Sequence, residues 1–155
     1  MKIVFVCTGN ICRSPTAEAV ARHFIAEAGL ARSITVDSAG TQGYHVGEAP
    51  DPRTRQAALK RGYDLSGLRA RKLDSADFRR FDLLLAMDRS HLEFMLRLCP
   101  EIYRHRVALF MSFAPESDFD EVPDPYYGGP RGFDFVLDMC EAGAKGLIER
   151  MTMRV

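Results

Sequence analysis

The sequence predicts an α/β fold in which helices cover both faces of a mostly parallel sheet. Short apolar or β-branched segments alternate along the chain with longer amphipathic segments, a pattern typical of βαβ units. The chain has 155 residues, of which 46% are hydrophobic, so it is long enough to bury one core without a metal or disulfide bonds. We therefore expect a single domain over residues 1–155, with a three-layer α/β/α arrangement.

Four segments have the short apolar composition of buried strands: residues 2–7, 34–38, 82–87 and 106–110. An apolar stripe from Ala17 to Ala28 predicts a helix after the first strand, and Gly29 is placed to end it. Three further segments have helical patterns: residues 53–61, 89–98 and 133–151. Residues 111–132 lack any periodicity and are rich in Pro, Gly and Asp. We expect a long loop there, and such loops in compact domains are usually functional.

Charge and hydropathy exclude several classes of partner. Lys plus Arg and Asp plus Glu are both 21, so the chain has no global field to attract nucleic acid or an acidic membrane. The N-terminal apolar run is too short for a secretory signal, and no stretch reaches the roughly eighteen apolar residues of a membrane span. We expect a cytoplasmic protein that binds neither nucleic acid nor membrane, and any anion must be bound by a local site.

The four cysteines divide into two groups. Cys99 and Cys140 lie on apolar stripes with helical spacing, which is typical of small core residues. Cys7 and Cys12 lie together after the first strand, and in a reducing compartment such a pair is seldom a structural disulfide. Neither a second close pair nor a His-x-x-x-His spacing completes a zinc site, so we expect no metal.

The segment CTGNICR at residues 7–13 has the composition of an anion cradle. Cys7 ends the first strand, and ligands of open α/β sheets bind at the carboxyl ends of strands. Gly9 and Asn10 are the residue types that best adopt left-handed dihedral angles, which a loop of inward-pointing N–H groups needs. Arg13 adds a planar guanidinium that suits two oxygens of a phosphate group. The segment therefore predicts a site for a compact dianion.

A helix start follows the cradle. Ser14 is a favourable N-cap and Pro15 a favourable first helical residue, so the positive end of the helix should face the same anion. That positive charge also stabilises a thiolate, and the Ser14 hydroxyl is placed to donate to the Cys7 sulfur. These features predict that Cys7 is a nucleophile.

A thiolate that attacks a phosphate monoester needs a carboxyl group to protonate the departing oxygen and then to activate water. The long loop offers Asp118, Asp120, Glu121 and Asp124. Asp124 is favoured because it begins the segment DPYYGG, in which Pro and Gly shape a turn and two tyrosines provide apolar walls. The other three carboxyl groups belong to an acidic run that is typical of a solvated surface.

Other functions of the cradle fit less well. It lacks the lysine and the spacing of a nucleoside triphosphate site, and it lacks the glycine pattern of a dinucleotide site. A redox role for Cys7 with Cys12 stays open, although the spacing is not Cys-x-x-Cys. A buried cysteine beside a surface arginine is the simplest structural explanation, but its place between an apolar strand and Ser-Pro-x-x-Glu favours a functional loop.

Five segments carry a resemblance to a known family: CTGNICRSPTAE at residues 7–18, DSAGT at 37–41, APDPR at 49–53, LLAMD at 84–88 and DPYYG at 124–128. The chain resembles the low-molecular-weight protein tyrosine phosphatases, in the expected order and over nearly its whole length. The resemblance implies a four-stranded parallel twisted sheet and the hydrolysis of protein phosphotyrosine and aryl phosphates without a cofactor. It also implies that Cys7 forms a phosphocysteine, that Arg13 binds the phosphate oxygens, and that Asp124 protonates the tyrosine oxygen and then activates water.

Further roles follow from the same resemblance. The loop residues expected to surround the substrate phosphate are Thr8, Gly9, Asn10, Ile11, Cys12 and Ser14. Tyr44, Tyr126 and Tyr127 are expected to line the rim around the substrate ring, and the last two are also candidate phosphorylation sites.

The resemblance also covers residues behind the cradle. Ser38 is expected to brace it by pairing with Asn10, and Cys12 is expected to form a reversible disulfide with Cys7. Leu68 stands where relatives have a histidine that supports the Asn–Ser network, which puts the rigidity of the cradle in question. Asp88 is expected to be structural. The four histidines are expected to have surface or packing roles, with His45 close to the rim.

Two alternative functions stay open for the sequence. An arsenate reductase on the same scaffold would need a relay of further thiols near the loop. A phosphopeptide-binding module would keep the cradle without the chemistry, but the presence of both Cys7 and Asp124 argues against it.

Overall fold

The computed structural model describes residues 1–125 and 129–153 and contains one parallel sheet. Its four strands are β1 (Lys2–Cys7), β2 (Thr35–Gly40), β3 (Leu83–Ala86) and β4 (Val107–Leu109), in the spatial order β2-β1-β3-β4. All three neighbouring pairs are parallel. The first strand is therefore central, and its carboxyl end at Cys7 lies between the ends of β2 and β3.

The described residues form five α-helices: α1 (Arg13–Glu27), α2 (Pro52–Lys60), α3 (Asp77–Arg80), α4 (Arg89–Leu98) and α5 (Pro130–Thr152). The first four lie between strands, and α5 follows β4. Two short 3₁₀ helices, Glu101–Arg106 and Phe110–Phe113, flank β4. Asp51 caps α2 by accepting from the Arg53 N–H, and Asp88 caps α4 by accepting from the His91 N–H. Gly29 ends α1 with a left-handed φ of 73°, as the sequence predicted.

The layers follow from the alternation of side chains along β1. Ile3, Phe5 and Cys7 belong to the larger core cluster with residues of α1 and α5. Val4 and Val6 belong to a second cluster on the other face, with residues of α3 and α4. Because successive strand side chains point to opposite faces, β1 is buried on both sides. The predicted three-layer α/β/α fold with a four-stranded parallel sheet is confirmed.

The structure differs from the sequence prediction at several points. The predicted loop over residues 111–132 is wrong at both ends, because the second 3₁₀ helix covers Phe110–Phe113 and α5 begins at Pro130. Strand β2 extends to Gly40, two residues beyond the predicted end, because it pairs with β1 as far as Cys7. The short helix α3 and the 3₁₀ helix at residues 101–106 were not predicted, since elements of four to six residues leave too little periodicity to detect. The predicted Ser14 cap is wrong, because α1 begins at Arg13 with Cys12 in the cap position.

Candidate active site

The connection from β1 to α1, residues 7–13, forms a loop around a small pocket of about 150 Å³. We call it the Cys7 loop. The pocket lies at the carboxyl edge of the sheet, as expected for an open α/β fold. The residues that line it are Cys7, Thr8, Gly9, Ile11, Cys12, Arg13, Tyr44, His45 and Asp124. Asn10 and Ser14, which were also predicted to surround the phosphate, are buried behind the loop.

Several backbone N–H groups of the Cys7 loop have no backbone acceptor in the described part of the chain. Within the described residues, the N–H groups of Gly9, Asn10, Ile11 and Cys12 donate to no other backbone carbonyl. Helix α1 starts directly after them without a side-chain cap and without an acidic residue in its first turn. These N–H groups and the positive helix end lie beside the same pocket, an arrangement that suits a tetrahedral oxyanion.

The Cys7 sulfur lies 2.9 Å from the Ser14 hydroxyl oxygen, and both residues are buried. Ser14 Oγ accepts a hydrogen bond of 2.8 Å from Asn10 Nδ2, and its own hydrogen can be donated to the sulfur or, over 3.5 Å, to the Ala39 carbonyl. Ser14 therefore contacts the sulfur from inside the first turn of α1 rather than from the cap.

Asn10 organises the loop from behind. Its φ of 58° is positive, the only such value at a non-glycine position among the described residues, and its side chain is fully engaged. Asn10 Oδ1 accepts from the Arg71 backbone N–H at 2.9 Å, while Nδ2 donates to Ser14 and to Ser38 Oγ at 2.9 Å. The predicted Asn10–Ser38 pair is present in the structure, so a strained backbone residue is held by three hydrogen bonds.

The network continues from Ser38 to a buried carboxyl group. Ser38 Oγ donates to Glu18 Oε1 at 2.7 Å, and Arg22 donates to Glu18 Oε2 at 2.5 Å. Burial raises the pKa of Glu18 above its ordinary value, although the hydrogen bonds from Ser38 and Arg22 oppose the rise. Leu68 packs against the larger core cluster instead, and the Asn–Ser network is complete without a histidine at that position.

The Arg13 guanidinium is fixed by two acceptors. Its Nη1 donates to Asp88 Oδ2 at 2.8 Å and to the Val122 carbonyl at 3.1 Å, and only about 5% of Arg13 is exposed. Burial opposes ionisation of Asp88, but Ser90, His91 and Arg13 outweigh it and hold the pKa of Asp88 below its ordinary value. The structural role predicted for Asp88 therefore includes holding the predicted phosphate-binding cation.

His91 was missed as a residue of this site. It is buried, and its Nε2 lies 2.8 Å from Thr8 Oγ1 and 3.5 Å from Arg13 Nη2. Burial, reinforced by the Arg13 guanidinium, lowers the pKa of His91 to about 4. A signal did exist in the sequence, because Asp88 follows the apolar strand β3 and His91 stands three residues later, at the capping-box spacing.

The structure separates the candidate acids. Asp120 Oδ2 is 2.5 Å from Arg89 Nη2, and Glu121 accepts from the Arg89 backbone N–H at 2.6 Å. Both are thereby tied to the start of α4, and neither they nor Asp118 line the pocket. Asp124 lines it together with Cys7, as the sequence favoured.

The rim of the pocket is described in part. Tyr44 is 74% exposed and lines the mouth. His45 lies beside it and pairs with Glu48 at 2.5 Å. Tyr126 and Tyr127, the other predicted rim residues, lie outside the described residues.

All four cysteines are free thiols in the structure. Cys12 is buried at the pocket wall, and burial raises the pKa of Cys12 to about 12, against the opposing effect of the Thr54 hydroxyl. Cys99 and Cys140 are buried in the two core clusters, as predicted, and neither lines the pocket. The thiol relay that an arsenate reductase would need is therefore not assembled at this site.

Within residues 1–125 and 129–153, no group of three or more His, Cys, Asp and Glu side chains could hold a metal ion. No helix in this part of the chain is both long and apolar enough to cross a lipid bilayer.

The fold and the site define a class of protein: an α/β protein that places a cysteine, an arginine and a carboxyl group around one oxyanion-sized pocket. Within that class, residues 2–155 match the model of the low molecular weight phosphotyrosine protein phosphatase family. The chain belongs to this family.

Individual relatives agree with the family match. A low molecular weight protein-tyrosine-phosphatase from Streptomyces coelicolor is 46% identical over 158 residues, covering 99% of this chain and 95% of that protein. A low molecular weight phosphotyrosine protein phosphatase from Schizosaccharomyces pombe is 48% identical over 134 residues, covering 86% and 85%. The chain is thus a cysteine-based hydrolase that acts on phosphotyrosine.

A solved structure gives the same answer for the fold. A protein tyrosine phosphatase from Entamoeba histolytica, crystallised with Hepes in the active site, matches with a TM-score of 0.95 and 41% sequence identity. The match covers 99% of this chain and 97% of the other.

Proposed function

We propose that Cys7, Arg13 and Asp124 carry out the hydrolysis of phosphotyrosine in two steps. In the first step the Cys7 thiolate attacks phosphorus, the bond from phosphorus to the tyrosine oxygen breaks, and Asp124 donates a proton to that oxygen. In the second step water attacks the phosphocysteine while Asp124 accepts a proton from it. The sulfur leaves as a thiolate, and inorganic phosphate is released.

One observation carries this proposal: Cys7 and Asp124 line the same pocket of about 150 Å³. A nucleophile and a proton donor must lie on opposite sides of one phosphoryl group for an in-line displacement, and a pocket of this size holds one such group. Ser14 assists both steps, because its hydroxyl lies 2.9 Å from the sulfur and stabilises negative charge there.

Arg13 and the N–H groups of the Cys7 loop stabilise the transition state. The negative charge of the transferring phosphoryl group spreads over three equatorial oxygens, and fixed donors stabilise it without reorganising. The bonds from Arg13 to Asp88 and Val122 hold the guanidinium in place before substrate binds. Hepes carries a sulfonate group, so its presence in the active site of the Entamoeba relative supports an oxyanion site here.

The proposed substrate is a phosphotyrosine side chain of a protein. The exposed Tyr44 at the mouth offers a flat apolar surface to an aromatic ring, which the shorter phosphoserine would not reach. Because the mechanism needs a reduced thiol, we place the enzyme in the cytoplasm.

The mechanism is tested by assaying p-nitrophenyl phosphate with matched variants. We expect Cys7→Ser to abolish turnover, whereas Cys99→Ser, a cysteine outside the pocket, should leave it unchanged. We expect Asp124→Asn to lower kcat about 10²- to 10⁴-fold, and Asp118→Asn to have little effect. Acid-quenched intact mass spectrometry should detect one phosphoryl group on wild type and none on Cys7→Ser. Full activity of Cys7→Ser would refute the mechanism.

We also propose that Cys12 protects the nucleophile. Peroxide oxidises the Cys7 thiolate to a sulfenic acid, and the Cys12 thiol then displaces water to form a disulfide that dithiothreitol reduces. Both residues line the same pocket wall. We expect peroxide-treated wild type to regain full activity with dithiothreitol, and Cys12→Ser to lose it irreversibly. Equal recovery by the two proteins would contradict this role.

A further inference from the structure

Thr8 and His91 join the Cys7 loop to α4. Thr8 is the residue after the nucleophile and is exposed, whereas His91 is 2% exposed on the first turn of α4. The two residues are 83 positions apart in the chain, yet Thr8 Oγ1 and His91 Nε2 are separated by 2.8 Å. The hydroxyl oxygen can accept from Nε2–H, which is the neutral tautomer whose Nδ1 is free to accept.

The orientation of the His91 ring is set at its other nitrogen. Nδ1 accepts from the Asp88 backbone N–H at 3.3 Å and lies 3.1 Å from Asp88 Oδ1. This capping arrangement directs Nε2 toward the Cys7 loop, where it meets Thr8 and lies 3.5 Å from Arg13 Nη2. The His91 side chain thus contacts Thr8, the Arg13 guanidinium and the Asp88 carboxyl group that holds the guanidinium.

The charges around the ring keep it neutral. Arg13, at the start of α1, disfavours the protonated imidazole, while Asp88 and, from the loop before α5, Asp124 favour it. Burial and Arg13 dominate, and the ring is uncharged near neutral pH. A neutral ring avoids charge repulsion with the Arg13 guanidinium 3.5 Å away.

We propose that His91 is a positioning residue of the active site, which holds Thr8 and Arg13 in the arrangement that binds the transferring phosphoryl group. This inference rests on the proposed roles of Cys7 and Arg13. It explains why a buried histidine directs a ring nitrogen at Thr8, the residue after the nucleophile. His91 acts through Thr8 and Arg13 and does not touch the substrate.

Two pairs of variants test the hydrogen bond. Thr8→Val removes the hydroxyl at an exposed position, so it leaves no cavity, and Thr8→Ser restores the hydroxyl. His91→Leu removes the imidazole, and His91→Gln restores a terminal amide that can donate or accept at the same place. We measure kcat/KM for p-nitrophenyl phosphate, the inhibition constant of inorganic phosphate, and the melting temperature.

We expect Thr8→Val to lower kcat/KM and weaken phosphate inhibition by about three- to tenfold, the effect of one neutral hydrogen bond, while the protein stays folded and its melting temperature falls by only a few degrees. Thr8→Ser should stay within about threefold of wild type, and so should His91→Gln. The double variant Thr8→Val/His91→Leu should lose no more than His91→Leu alone, since both changes remove one interaction.

The outcomes separate the inference from the mechanism it rests on. Wild-type kinetics in Thr8→Val would overturn the positioning role of His91, and so would an equal loss in Thr8→Val and Thr8→Ser. Neither result affects the proposed mechanism as long as Cys7→Ser is inactive. Turnover by Cys7→Ser overturns both. If His91→Leu does not fold, the two Thr8 variants decide alone.

Discussion

Gly40 marks the closest approach between the sheet and the Cys7 loop. It ends β2 beside Cys7, and a Cβ built on it would lie 2.6 Å from the Thr8 carbonyl oxygen and 3.0 Å from the Gln42 carbonyl oxygen. Both obstacles are backbone atoms, so Gly40→Ala must move the loop by at least about 0.4 Å before the Thr8 contact reaches 3.0 Å. Overpacking of this kind costs about 1–3 kcal/mol of stability, and a misplacement approaching 1 Å costs up to about 10²-fold in rate.

We expect Gly40→Ala to lower kcat/KM for p-nitrophenyl phosphate by about 10- to 100-fold and to lower the melting temperature by several degrees. Gly67→Ala is the matched control, because its Cβ would meet nothing within 4 Å and its φ is not positive. That variant should match wild type in both measurements. Wild-type kcat/KM in Gly40→Ala would show that the loop tolerates displacement, and the argument from its rigid geometry would then be wrong.

Three further predictions concern the groups around the loop. Ser14→Ala should lower kcat about 10- to 100-fold, because a hydrogen bond to a charged sulfur is lost. Thr16→Val, which removes a buried hydroxyl that donates to the Cys12 carbonyl, should keep wild-type kcat, and equal losses in the two variants would contradict the role of Ser14. Asp88→Asn should weaken inhibition by inorganic phosphate about tenfold, since Arg13 loses a charged partner, and unchanged inhibition would count against it. The pKa of His91 is lowered from 6.5 to about 4, so its contribution to stability is complete above about pH 6.5 and falls by about 3 kcal/mol as the pH drops to about 4. Urea unfolding of His91→Gln between pH 7 and pH 4 should lack this component, and the same acid sensitivity in both proteins would refute it.

The sequence predicts the sheet and the pocket floor well because both depend on local signals. The apolar runs of β1 and β3 are continuous. The segment from Cys7 to Arg13 contains Gly9 and Asn10, residue types that indicate a tight loop with left-handed dihedral angles. The family segments then assign the predicted roles. The helix α3 and the 3₁₀ helix at residues 101–106 have only four and six residues, so the sequence shows no periodic pattern that predicts them.

The sequence did not predict the residues that hold Arg13 in place. Asp88 and His91 are separated from Arg13 by more than seventy positions, and only the pairing of β1 with β3 brings them to it. The sequence also did not predict that Asn10, Ser38 and Glu18 form a connected hydrogen-bond network without a histidine at position 68. It depends on Arg22, one helical turn after Glu18, reaching the same carboxylate.

The Cys7 loop takes its supports from almost the whole length of the chain. The backbone N–H of Thr41 donates to the Cys7 carbonyl, and that of Asp51 donates to the Ile11 carbonyl. The backbone N–H of Arg71 donates to the Asn10 side chain, and the Arg13 guanidinium donates to the Val122 carbonyl. We therefore expect the Cys7 loop to take its native shape only when these distant segments have packed around it, so that recovered turnover after refolding reports on their assembly.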